Sequence, residues 1–176
     1  ENPWFTPGSV NLALEGIGRY LDPAKMKKWV SSYRIDPATV RKIGVVMAGN
    51  IPLAGFHDLL SVIVSGHTIM AKLSSKDTVL PTYLIQKLIA LEPRFEPMIL
   101  LPARLKNFDA VIATGSDNSA RYFQYYFGKY PHIIRKNRTS CAILSGEETL
   151  DDLTLLGRDV FTYFGLGCRN ISKIFI

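Results

Sequence analysis

The chain has 176 residues, about one domain's worth: enough to bury a real core, but short for a complete two-substrate enzyme. With 47% hydrophobic and 20% charged residues it falls among folded globular proteins and outside disordered or fibrous ones. Its net charge of +6 admits nucleic acid, an anionic surface or phosphorylated small molecules, but no Lys/Arg block or groove-reading motif favours nucleic acid, so the phosphates of a cofactor and of a substrate carrier are the expected partners.

The chain starts at Glu1 with no basic and apolar leader and no initiator methionine, and is expected to be a trimmed or processed piece. Residues 3–31 combine turn signals with the helical spacing of Leu12, Leu14 and Ile17, which predicts short helices. From Lys42 the pattern changes to short β-rich runs at 43–47, 67–73, 97–101, 109–114 and 132–135. Between them, 53–65, 77–91 and 117–128 carry apolar residues at helical spacing. Alternating strand and helix with nearly continuous apolar strands predicts an α/β fold, a doubly wound parallel sheet of the Rossmann-like kind. Beyond Pro131 come an apolar strand at 140–145, a helix over 147–164 entered through acidic residues, and a last strand, ISKIFI. Apolar runs stay far below the ~20 residues of a membrane-spanning helix, so no integral membrane segment is expected.

Four places along this pattern carry candidate chemistry. The Rossmann G-x-G-x-x-G is absent after the first strand, which runs instead into Ala48-Gly49-Asn50-Ile51-Pro52-Leu53. Asn50 lies where open α/β sheets hold ligand groups, though a turn-forming or helix-capping asparagine fits the same place. Lys72 ends the second strand, where a cofactor ribose commonly lies and where solvated lysines are also common. Thr114-Gly115-Ser116 opens a helix whose N–H groups suit a diphosphate; it also reads as an ordinary turn with a serine N-cap. Cys168, between Gly167 and Arg169, suits a reactive thiolate because nearby positive charge favours ionisation, whereas isolated cysteines are commonly buried. Cys141, inside an apolar strand, reads as a small core residue. Two cysteines without zinc spacing imply no metal site and a reducing, cytoplasmic setting. His57, His67 and His132 are scattered and read as structural.

Taken in order, these points resemble the aldehyde dehydrogenase superfamily over about residues 40–176, specifically its LuxC-type acyl-CoA reductase branch. Gly49-Asn50-Ile51-Pro52-Leu53 is similar to the family's W-N-F-P-L segment, which implies that Asn50 supplies an oxyanion-hole amide. Lys72-Leu73-Ser74-Ser75 is similar to K-P-S-E, at the adenosine ribose, and Thr114-Gly115-Ser116 to the T-G-S segment beside the cofactor diphosphate. The most specific match is Cys168 through Ile176, which follows C-x-x-G-S-R-x-x-V and implies that Cys168 is the nucleophile. Two departures matter. With Ser140 in register, Arg135-Lys136-Asn137-Arg138-Thr139 stands where oxidising members carry E-L-G-G-K, so their water-activating glutamate is missing. Ser75 replaces the ribose-binding glutamate, a carboxylate that would repel a 2′-phosphate, which favours NADPH over NADH.

The resemblance therefore implies reduction of a fatty acyl-CoA thioester to an aldehyde with NADPH or NADH, in a homo-oligomer. A cofactor-binding fragment without catalysis and an NAD(P)-dependent aldehyde oxidiser are the other readings. It also implies a dinucleotide-binding domain over 1–135 and the start of a catalytic domain over 136–176. Strands 140–145 and ISKIFI are then expected to pair with each other or with another chain, and Cys168 to lie farther from Asn50 than catalysis requires.

Overall fold

The computed structural model describes residues 2–176. Two helices lead the chain, α1 (Pro7–Tyr20) and α2 (Pro23–Val30). Each starts with a proline just inside a capping side chain: Thr6 accepts from Ser9 N–H, and Asp22 from Lys25 N–H. A side-chain oxygen thus satisfies an orphan donor at each start, where proline has no N–H to lose.

The sheet follows, with β1 (Lys42–Val46), α3 (Phe56–Val64), β2 (Thr68–Lys72), α4 (Val79–Leu91), β3 (Ile99–Leu100), β4 (Ala110–Thr114), α5 (Asp117–Phe127) and β5 (His132–Arg135). All five strands run parallel in the order β3-β2-β1-β4-β5. Parallel strands covered on both faces need apolar residues at successive positions, and Ile43, Gly44 and Val45 of β1 are all buried. Val45, Ile69 and Val111 are the largest fully buried side chains, so the core lies along β1, β2 and β4. Leu59, Val62 and Ile63 of α3 and Ile85 of α4 close over it. α3 and α4 share that core, and with the right-handed crossovers that parallel strands follow, α5, on the other side of the point where strand order reverses, covers the opposite face. α1 adds a second small core, Ala13 and Ile17 against Leu53.

The predicted doubly wound sheet is therefore the observed one. The strand predicted over 97–101 shrinks to two residues, because Pro93–Met98 winds into a 3-10 helix with Pro97 inside it. Strand order reverses between β1 and β4, and it is at this switch point that open sheets form a ligand crevice, outside the carboxyl ends of the strands.

The last two strands stand apart. β6 (Ser140–Ile143) and β7 (Ile171–Phe175) pair in parallel as a separate two-stranded sheet, joined through α6 (Leu150–Phe161). A full capping box starts α6, Thr149 and Asp152 exchanging side-chain and backbone bonds. The expected pairing of these strands with each other is observed. Cys141 departs from expectation: it is exposed and free, because β6 has only β7 beside it and no buried face to turn a cysteine into. Among the described residues, no helix is long and apolar enough to cross a membrane.

Candidate active site

Two loops at the switch point carry most of the predicted positions. After β1 the chain turns through Ala48, Gly49 and Asn50 before α3; after β4 it passes Thr114 and Gly115 and enters α5 at Ser116. Ser116 caps α5, its hydroxyl accepting from Ser119 N–H at 3.3 Å. Gly115 packs so closely on this helix that a Cβ there would lie 2.9 Å from the Phe123 ring and from Ser119 Cβ. The strand-to-helix turn thus brings bare backbone to the mouth of the crevice, where helix N–H groups favour an anion. Thr114 Oγ1 is buried at the strand end with no hydrogen-bond partner among the described residues, an acceptor and donor left for a ligand group. Lys72 and Ser75, at and after the carboxyl end of β2, are both exposed.

Asn50 is also exposed, and its side-chain N–H donates to the Leu166 carbonyl at 2.6 Å. Leu166 lies two residues before Cys168, so the loop bearing the candidate oxyanion donor grips the loop bearing the candidate nucleophile. The Asn50 side chain thus meets the Cys168 loop at Leu166. This hydrogen bond links the segment of the two-stranded sheet of β6 and β7 to the loop that follows β1 of the five-stranded sheet. Cys168 is free and exposed.

The geometry adds residues that the motifs did not single out. Asp77 is buried, 4% exposed, and accepts the Leu53 N–H at 2.7 Å. Leu53 has a left-handed φ of 58°, unusual for a branched residue, so this bond holds the end of the Asn50 turn in a conformation that costs about 1–2 kcal/mol. Lys76, beside Asp77, is exposed, and the fold buries the Asp77 carboxylate. Burial pushes the Asp77 carboxyl up from its ordinary 3.8, partly offset by the Leu53 bond. An acid with a raised folded pKa stabilises the fold fully below 3.8 and loses that contribution as pH rises through the folded value. Asp77→Asn is therefore expected to remove part of the fall in Tm on going from pH 3.8 towards neutrality. Equal slopes in paired melting curves would contradict this.

Asp58, on the first turn of α3, is buried and ion-paired to Arg135 at the end of β5. The pair thus joins the start of α3 to the end of β5. No group of His, Cys, Asp and Glu among the described residues could hold a metal ion. Two recesses lie elsewhere: one of about 430 Å3 beside Arg121, Tyr125 and Lys136, another of about 250 Å3 beside Trp29, Tyr33 and Ile35. Neither is lined by Asn50 or Cys168.

A solved structure described as "Crystal Structure of a Putative Aldehyde Dehydrogenase from Burkholderia cenocepacia" superposes on this chain with a TM-score of 0.64 and 17% identity. The match covers 76% of this chain and 31% of that one, so the chain spans about a third of its neighbour's length. The likeness is one of fold. No family model matches the sequence, and no curated protein does.

Proposed function

We propose that this chain carries the cofactor-binding and nucleophile segments of an NAD(P)H-dependent fatty acyl-CoA reductase, with residues 1–135 as the dinucleotide-binding domain and 136–176 as the start of the catalytic domain. The observation that carries the reading is the hydrogen bond from the Asn50 amide to the Cys168 loop, within a fold shared with an aldehyde dehydrogenase-type structure.

Cys168, as the thiolate, attacks the thioester carbonyl, and the electron pair of the C–S bond leaves with coenzyme A as its thiolate. An asparagine amide has two N–H groups: one is held by the Leu166 carbonyl, and the other is left for the carbonyl oxygen as it gains charge. The Cys168 N–H, which has no partner among the described residues, is the second donor. Lys72, Ser75, Thr114, Gly115 and Ser116 would hold the cofactor, NADPH or NADH, and the unpartnered Thr114 hydroxyl fits such a group. The cofactor supplies a hydride when bound. Asn50 and the Cys168 N–H then hold the oxygen of the reduced adduct until the C–S bond to Cys168 breaks, which releases aldehyde and restores the thiolate.

Arg135 supports reduction over aldehyde oxidation. It occupies the position that the resemblance gives to the water-activating glutamate, and a guanidinium ion-paired to Asp58 cannot take a proton from water. Both cysteines are free thiols, the state a reducing cytoplasm maintains and the reaction needs. The apolar side chains exposed on β6 and β7, Ile143, Ile174 and Phe175, suit a subunit contact in a homo-oligomer. NADPH oxidation that depends on added fatty acyl-CoA tests the reading, and NADP+ reduction by free aldehyde without acyl-CoA turnover would favour the oxidiser instead.

Cofactor choice gives a second prediction. Lys72 is exposed and has no carboxylate partner among the described residues, so its ammonium is available to a 2′-phosphate. Lys72→Ala is expected to raise the KM for NADPH about tenfold, the worth of one charge-assisted bond, and that for NADH little. Equal changes for both cofactors, measured in initial-rate assays, would reduce Lys72 to a general ribose contact.

A further inference from the structure

We infer that Asn170 is the positioning residue of the Cys168 loop, an inference that rests on the function proposed above. Its half-buried side chain makes three hydrogen bonds. Oδ1 accepts from Gly167 N–H at 2.7 Å, and Nδ2 donates to the Asp159 and Thr162 carbonyls, both at 2.9 Å. Asp159 lies in the last turn of α6, where helical acceptors have no partner further along the helix, and Thr162 follows that helix directly. One amide therefore ties the helix end to the residue before the nucleophile. The amide's orientation is set by its partners, since a flip would face its N–H groups to the Gly167 N–H and its oxygen to two carbonyls.

The surrounding backbone shows why such a tie is needed. Tyr163 and Phe164 both have left-handed dihedrals, φ 52° and 56°, and Gly165 continues the turn at φ 72°. Two aromatic residues in that region cost roughly 1–2 kcal/mol each and persist only where neighbours impose them. Trp4 packs edge-on against Phe164, at 5.2 Å between ring centroids, and Asn170 holds both sides of the turn. Gly167 leaves the space: a Cβ there would sit 2.5 Å from Asn170 Oδ1.

The result is a division of polar groups around the nucleophile. The Leu166 carbonyl is taken by Asn50, the Gly167 N–H by the Asn170 side chain, the Gly167 carbonyl by the Asn170 N–H, and the Cys168 carbonyl lies 3.5 Å from the Ser140 hydroxyl. The thiol and the N–H of Cys168 have no partner among the described residues, and these are the two groups the reaction asks to meet one carbonyl. Asn170 does not touch the substrate; it holds the loop so that both of those groups face the same place.

The experiment is single-turnover acylation of Cys168 by a fatty acyl-CoA, followed by mass spectrometry in wild type, Asn170→Ala, Asn170→Asp and Gly167→Ala. The limiting rate, the half-saturating concentration and the final extent of acylation are read separately, with iodoacetamide labelling as a control on thiol access. Asn170→Ala and Gly167→Ala, which remove or displace the same amide, are expected to lower the limiting rate about 100-fold, with half-saturation within a few-fold of wild type. Asn170→Asp keeps the bond to Gly167 and loses those to α6, and is expected to fall between. A variant that lost extent but kept the wild-type rate in the surviving molecules would make Asn170 merely structural and overturn the inference. So would an unchanged rate in Gly167→Ala. Failure of the wild type itself to form an adduct on Cys168 would instead overturn the function proposed above, and this inference with it.

Discussion

Cys168→Ala is expected to bring acyl-CoA-dependent NADPH oxidation down to background while leaving NADPH affinity within about twofold of wild type, because losing a nucleophile removes the covalent path and not the crevice. The residues proposed for the cofactor lie at the ends of β2 and β4, in the five-stranded sheet, whereas Cys168 precedes β7 in the other sheet. Removing one sulfur from an exposed loop leaves the core around Val45, Ile69 and Val111 untouched, so the fold should persist. Cys141→Ala is the matched control. It is also exposed and free, but it sits on β6, and the variant should retain most of the activity. Steady-state rates and cofactor titration of both variants check the pair of outcomes. Substantial turnover in Cys168→Ala would contradict the assignment.

Asn50→Ala is expected to lower kcat by about 10²–10³-fold, the usual worth of one oxyanion donor, with cofactor affinity little changed. The amide's contact with Leu166 raises the expected loss, because the substitution also frees the loop before Cys168. Asn50→Asp separates the two roles. It keeps the side-chain shape but sets a carboxylate oxygen against the Leu166 carbonyl and offers a negative group to a developing oxyanion, so it should be no better than alanine. A loss under tenfold in both variants, measured as kcat at saturating acyl-CoA, would remove Asn50 from the reaction.

The sheet was legible because burial on both faces demands apolar residues at consecutive positions, as in Ile43 to Val45, and because turns punctuate each crossover. Element ends were less legible where the backbone departs from a regular path without a change in polarity. The apolar spacing of 147–164 runs on through Tyr163 and Phe164, yet α6 stops at Phe161, and the two aromatics enter a left-handed turn that no composition rule anticipates. Cys141 was misread for a related reason: an apolar strand implies a buried side chain only when a second layer covers it, and β6 has none on that side.

Within the site, the motifs indicated Asn50 and Cys168, and the structure brings their loops together. It also places Thr114, Gly115 and Ser116 at the switch point and Lys72 at the neighbouring strand end. What the motifs could not indicate are residues that act through backbone groups. Asp77 serves the Leu53 N–H, 24 positions away, and Asn170 serves carbonyls 8 and 11 positions back. Short polar residues of this kind are common in turns, and only a fold shows which of them close a loop. Asp58 and Arg135 are likewise 77 positions apart and meet only because β5 lies one strand beyond β4.

A covalent acyl group on Cys168 is detected by peptide mapping with mass spectrometry after the wild-type protein is mixed with a fatty acyl-CoA in the absence of NAD(P)H. A hydroxylamine-labile adduct of the acyl mass is expected on the peptide that contains Cys168, lost when NADPH is added. An adduct confined to Cys141, or none on either cysteine, would contradict it.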